Sequence, residues 1–148
     1  AASDVYKRQK QEIGDIPLMV KLAYIPSDDA LELMVRSTVG HGTVQGFSTI
    51  NTISAKLVDA NGNQALPGAG RDHSGVCGNA IRGAGLDMVA RLAAIREKLG
   101  LDFAINGVGG VVSPADYQAY RDAGADSVMS ATGAMWDAEL AHKIKASR

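Results

Sequence analysis

Short apolar runs alternating with longer amphipathic stretches limit this chain to very few architectures. Residues 16–22 (IPLMVKL) are apolar and closed by Pro26 and Ser27, which marks a buried strand. Ser27 can cap a helix that carries Asp28 and Asp29 in its first turn, at the positive end of the dipole. Leu31, Met34, Val35 and Thr38 lie on one face of it. Residues 43–50 read as a second strand, interrupted by Gly46, and a stretch rich in Gly, Asn and Pro over 54–78 reads as one long loop. A helix over 80–99 stops at Gly100, and a third strand over 101–106 runs into Gly107-Val108-Gly109-Gly110. Ser113-Pro114-Ala115-Asp116 opens a helix that ends at Gly124; residues 126–130 form a fourth strand. Trp136, Leu140 and Ile144, at spacing four, mark a last helix. Four consecutive strand–helix units imply a parallel sheet covered by helices.

An open doubly wound sheet and half of a closed eight-stranded barrel both satisfy this order. A dinucleotide-binding sheet places its glycine loop after the first strand, whereas here it follows the third of four. Barrels that bind phosphate use the loops after strands seven and eight, and a whole barrel takes about 250 residues. The 148 residues therefore read as an α/β fold, a partial (β/α)8 barrel whose units correspond to strands five to eight. Residues 15–148 are expected to be the C-terminal half of that domain. Residues 1–14, polar and basic without a usable periodicity, are set aside as a disordered or non-native segment.

Composition narrows the function. Fifteen Lys and Arg against 16 Asp and Glu give a formal charge of −1, which speaks against a nucleic-acid clamp or a polybasic membrane anchor and for a small-molecule partner. With 46% apolar residues the chain can bury a core. One cysteine, Cys77, excludes an intrachain disulfide framework and favours a reducing compartment. No apolar run reaches the roughly 18 residues that cross a bilayer, so the expected location is cytoplasmic.

The candidate site residues cluster at the C-terminal ends of the strands. Lys21 alternates with Met19 rather than with Val20 and Leu22; it either points inward, needing an anionic partner, or snorkels at the strand end. Asn51 and Thr52 follow the second strand and offer a fork of donors and acceptors for an imide-like heterocycle, or serve as turn residues. Ser74-Gly75-Val76-Cys77-Gly78 precedes a helix, so amides near Gly75 and Gly78 can face an anion. Gly109, Gly110, Ala131 and Thr132 supply two further walls. One glycine loop is weak on its own, but three at the ends of successive strands converge in a barrel. Cys77 lacks a partnering base and reads as a structural thiol. His41, His73 and His142 lack ligand spacing, which gives no metal site.

These residues in this order resemble the C-terminal half of the dihydroorotate dehydrogenase family: Lys21 in VKL, Asn51-Thr52, SGVCG followed by Ile81, GVGG, and AGADSVM leading to Thr132. The resemblance runs from about Asp15 to Ala146. It implies an FMN-dependent barrel flavoprotein, an oxidoreductase that converts dihydroorotate to orotate in de novo pyrimidine (UMP) biosynthesis. Lys21 then matches the catalytic lysine at the flavin ring, where an ammonium stabilises the negative charge taken up on reduction. Asn51 and Thr52 match the substrate-facing pair; Gly75, Gly78, Gly109, Gly110, Ala131 and Thr132 match the positions around the FMN phosphate and ribityl chain. Ala131 stands where many relatives have Gly, and Cys77 where Ser or Gly is usual. The family's base, a Cys or Ser on a loop before the lysine strand, finds no match, so the chain alone is expected to be inactive and poorly folded. The full-length protein is expected to be a homo-oligomer.

Three other readings compete. A pyrimidine-reducing dihydropyrimidine dehydrogenase-like flavoenzyme shares the Asn-Thr and glycine-loop arrangement. An inosine-monophosphate-dehydrogenase-like barrel would make Cys77 a nucleophile. A non-catalytic phosphate-binding half-barrel would need neither Lys21 nor Asn51.

Overall fold

The computed structural model describes residues 2–147. Helix α1 (Ala2–Ile13) leads to strand β1 (Met19–Leu22), helix α2 (Asp28–Thr38) and strand β2 (Gly46–Thr49). Strands β3 (Ile53–Lys56) and β4 (His73–Val76) form a hairpin; a 3-10 turn over Gly78–Ile81 leads into α3 (Arg82–Leu99). Strand β5 (Ala104–Val108), helix α4 (Pro114–Asp122), strand β6 (Ser127–Met129) and helices α5 (Thr132–Trp136) and α6 (Leu140–Ala146) complete the chain. Four parallel strands make one sheet in the order β1-β2-β5-β6, an α/β architecture consistent with a partial (β/α)8 barrel.

The sheet is covered on one side. Val20, Leu22, Phe47 and Ile105 point to that side and meet Leu31 and Val35 of α2, Met88, Val89 and Leu92 of α3, and Tyr120 of α4. Phe47 meets Phe103 edge to face at 5.4 Å between ring centroids. Local chemistry fixes the helix entries. The Ser27 hydroxyl accepts from the Ala30 N–H at 3.2 Å, and the Ser113 hydroxyl accepts from the Asp116 N–H at 3.2 Å, with Pro114 in the first turn. Gly100, at φ +60°, closes α3 as a left-handed residue.

Four sequence expectations need correction. Residues 1–14 were set aside as disordered or non-native; Ala1 lies outside the described residues, and Ala2–Ile13 is helical, which corrects the expectation of disorder: Tyr6 packs against the core, and Gly14, at φ +60°, ends the helix. Its polar composition hid the contact made by Tyr6. The long loop over 54–78 contains the β3–β4 hairpin, extended by a bridge between Val58 and Gln64. These strands are only half-buried, so backbone pairing replaces the apolar run that would have announced them. The third strand lies later than expected and includes Gly107 and Val108, because residues 101–103 finish the α3 cap: Leu101 N–H donates to Arg96 O, and the Arg96 guanidinium donates to Phe103 O. The last helix is two short ones. Asp137 interrupts it by accepting from the Glu139 N–H and the Lys143 ammonium, which leaves Leu140 buried and Trp136 at 87% exposure.

Candidate functional site

The uncovered side of the sheet carries the site. Along β1, Val20 and Leu22 are buried against the helices while Met19 and Lys21 face the open side. Lys21 pairs in register with Ser48, Ser48 with Asn106, and Asn106 with Ser127, which sets four polar residues in one row across four strands. Within it the Asn106 amide donates to the Ser48 hydroxyl at 3.1 Å, and the Ser127 hydroxyl donates to the Asn106 carbonyl oxygen at 3.0 Å. The Lys21 ammonium has no hydrogen-bond or ion-pair partner among the described residues.

A cavity of about 380 Å³ opens at the C-terminal ends of these strands. Lys21, Asn51, Thr52, Gly78, Gly109, Gly110, Ala131 and Thr132 all line it. Of the residues singled out from sequence, Gly75 is not among the lining residues. It lies on β4 opposite Ser54, where a Cβ would come within 2.5 Å of the Thr52 hydroxyl; its bare backbone gives the Thr52 side chain room. Asn51 is anchored by its own N–H, which donates to Leu22 O at 2.9 Å and ties the end of β2 to that of β1.

Three backbone segments form walls of the cavity. Gly78, at φ +74°, opens the turn before α3, and Gly110, at φ +68°, follows β5. A Cβ on Gly110 would lie 2.8 Å from Arg82 Cβ, 2.9 Å from Asn79 Cα and 3.0 Å from Gly78 O, so two walls touch there with no space for a side chain. The third wall, 130–133, contacts the loop after β5. The Ser130 hydroxyl donates to Val111 O at 2.7 Å, and a Cβ on Gly133 would be only 2.2 Å from that oxygen. Peptide N–H groups, a threonine hydroxyl and a lysine ammonium form a donor set suited to a phosphate-bearing, electron-accepting cofactor such as FMN, and the glycine cradle leaves its backbone accessible.

Behind this cradle, the carboxylate of buried Asp116 joins the starts of α3 and α4. It accepts from the Arg82 guanidinium, from the Ser113 hydroxyl at 2.8 Å and from the Val112 N–H at 3.2 Å. Burial works to raise its pKa, but these donors together hold the carboxyl below the usual range. Arg82, Ser130, Gly133 and Asp116 were not picked out as functional positions from sequence. Asp116 was visible only as a helix-entry acid; the others act through contacts between distant loops. Cys77, taken as a structural thiol, is exposed and lies on the cavity wall. Among the described residues, no group of His, Cys, Asp and Glu could hold a metal ion. No described helix is long and apolar enough to cross a membrane.

The family model for dihydroorotate dehydrogenase matches residues 2–147. The chain is 36% identical over 129 residues to the dihydroorotate dehydrogenase of Dictyostelium discoideum, covering 87% of this chain and 35% of that protein. It is 28% identical over 127 residues to the dihydroorotate dehydrogenase (quinone) of Bordetella avium, covering 86% of this chain and 34% of that protein. With that of Leptothrix cholodnii it shares 32% over 124 residues, covering 82% and 32%. The chain thus spans about a third of the length of these curated relatives. A match that runs through all three cradle walls and the lysine strand places the chain in the dihydroorotate dehydrogenase family.

Proposed function

We propose that this chain is the C-terminal half of an FMN-binding barrel, units five to eight, from a cytoplasmic, homo-oligomeric enzyme that oxidises dihydroorotate to orotate in pyrimidine synthesis. The observation that supports this best is convergence: Lys21, Asn51, Thr52 and all three backbone walls line one cavity at the C-terminal ends of parallel strands. A bare phosphate binder would need the walls but neither Lys21 nor Asn51.

In this reading the amides around Gly78, Gly110 and Thr132 hold the FMN phosphate and ribityl chain. A bound FMN would supply the hydride acceptor for a substrate whose ring C–C bond becomes a double bond. Lys21 would stabilise the negative charge taken up beside it, with the hydrogen-bonded row Ser48, Asn106 and Ser127 in register with that lysine. Asn51 and Thr52 orient the substrate through hydrogen bonds to its imide edge. The second hydrogen leaves as a proton to a base, which this reading assigns to a Cys or Ser on a loop preceding the Lys21 strand.

The complete protein, purified from cells grown with excess riboflavin, is expected to carry flavin and to reduce a dye in the presence of dihydroorotate. Lys21→Met should lower kcat by about 10²–10³, the loss typical of one electrostatic stabiliser. A protein that stays colourless would favour the non-catalytic reading, and a purine adduct on Cys77 the inosine-monophosphate-dehydrogenase-like one. The 148-residue chain alone should be inactive; dihydroorotate-dependent dye reduction by it, above a free-flavin control, would refute the assignment of the base.

A further inference from the structure

Tyr120 is fully buried and sits behind the cradle on α4, although it is absent from the cavity lining. The backbone makes room for it. A Cβ on Gly85 would come within 2.0 Å of its hydroxyl, and one on Gly107 within 2.4 Å of its ring. A helix glycine and a strand glycine thus clear a channel from α4 to the loop after β5, and the phenol fills it. At the end of that channel the hydroxyl donates to Gly109 O at 2.8 Å, with Val108 O at 3.3 Å as a second, weaker acceptor.

The bond to Gly109 O sets a peptide plane. The Gly109–Gly110 bond is trans, so its C=O and N–H point to opposite sides. With the oxygen held on the helix side by Tyr120, the Gly110 N–H must point to the other side, where the cavity opens. That N–H has no acceptor among the described residues. Flanking glycines at φ +126° and +68° could otherwise let this plane turn over, because neither has a side chain to oppose it. We infer that Tyr120 is a positioning residue: its hydroxyl locks the Gly109–Gly110 peptide so that the Gly110 N–H is presented to a phosphate group in the cavity. Burial raises the phenol pKa to about 12, which keeps the donor protonated at any physiological pH.

The inference rests on the flavin reading only for its choice of ligand. Tyr120→Phe removes the donor and keeps the ring that fills the channel. In the full chain, FMN and riboflavin affinities are measured by flavin fluorescence quenching; the two ligands differ only in the phosphate. The variant should lower the FMN-to-riboflavin affinity ratio by about tenfold, the effect of one lost hydrogen bond of ordinary strength, with riboflavin binding unchanged. Substituting 4-aminophenylalanine at this position, which restores a donor, should recover the ratio. An unchanged ratio, or equal loss for both ligands, would overturn the inference. If the wild-type full-length protein binds neither flavin, the flavin reading fails, and inorganic phosphate followed by ¹⁵N NMR decides separately. A phosphate-induced shift of the Gly110 amide that Tyr120→Phe abolishes supports the lock; a wild-type Gly110 amide that phosphate leaves unmoved refutes it without any variant.

Discussion

Gly78 and Gly110 make a matched pair for measuring how tightly the cradle is built. Both adopt left-handed backbone, φ +74° and φ +68°, so an added methyl costs each about 1–2 kcal/mol in conformational preference alone. Their surroundings differ. A Cβ on Gly78 would meet nothing within 4 Å, whereas one on Gly110 would meet Arg82 Cβ, Asn79 Cα and Gly78 O at 2.8–3.0 Å. Two of those atoms belong to the backbone of the turn before α3 and cannot rotate away, so the loops must part, at an overpacking cost of about 1–3 kcal/mol. Gly78→Ala should therefore lose about 1–2 kcal/mol and Gly110→Ala about 2–5 kcal/mol in urea unfolding with an unchanged m-value. Equal losses for the two variants would show that the walls do not touch as described, and with them would go the case for a cradle too tight for any side chain.

Two further predictions follow from the core and the network behind the cradle. Asp116→Asn should cost about 1–3 kcal/mol at neutral pH, because a neutral amide replaces an acceptor of three donors. Since the Asp116 pKa is depressed in the folded chain, its contribution is fully present above the ordinary value of 3.8 and is lost as pH falls through the lower folded value; the stability gap between wild type and variant, followed by chemical denaturation, should close in that acid range. Phe47→Ala, which empties a fully buried site against Phe103, should cost about 3–5 kcal/mol, and a calorimetric loss under 1 kcal/mol would contradict the described core.

The sequence revealed most about elements whose stability comes from burying one apolar face. Strand β1 was readable from its apolar run closed by Pro26 and Ser27, and α2 because Leu31 and Val35 share a face behind a Ser27 cap. Alternation grouped Lys21 with Met19, and both face the open side. The β3–β4 hairpin was hidden because ISAK and HSGV bury little and depend on pairing with each other across a 16-residue gap (57–72) that sequence spacing does not predict. Helix α1 was hidden because, among its described side chains, only Tyr6 joins the hydrophobic core. In the site, residues acting through their own backbone, such as Gly110, show up as glycines. Those acting through a partner far along the chain do not: Tyr120 makes sense only beside Gly85 and Gly107, which lie 35 and 13 residues away.

The two faces of the sheet differ in chemistry. The helix-covered face carries the buried apolar cluster. The open face is polar at its centre: Ser48, Asn106 and Ser127 are joined in a chain of hydrogen bonds, so Asn106, at 3% exposure, has both ends of its amide bonded. That bonding offsets the cost of taking the amide out of water. What remains costly on that side is Met19 and Met129, 44% and 56% exposed, at the two outer strands of the sheet. The polar row lies in register with Lys21, although Ser48, Asn106 and Ser127 are not among the residues lining the cavity. Met129 lines the cavity together with Lys21 whereas Met19 does not, so exchanging Met19 alone for a polar residue should raise solubility without altering the cavity wall.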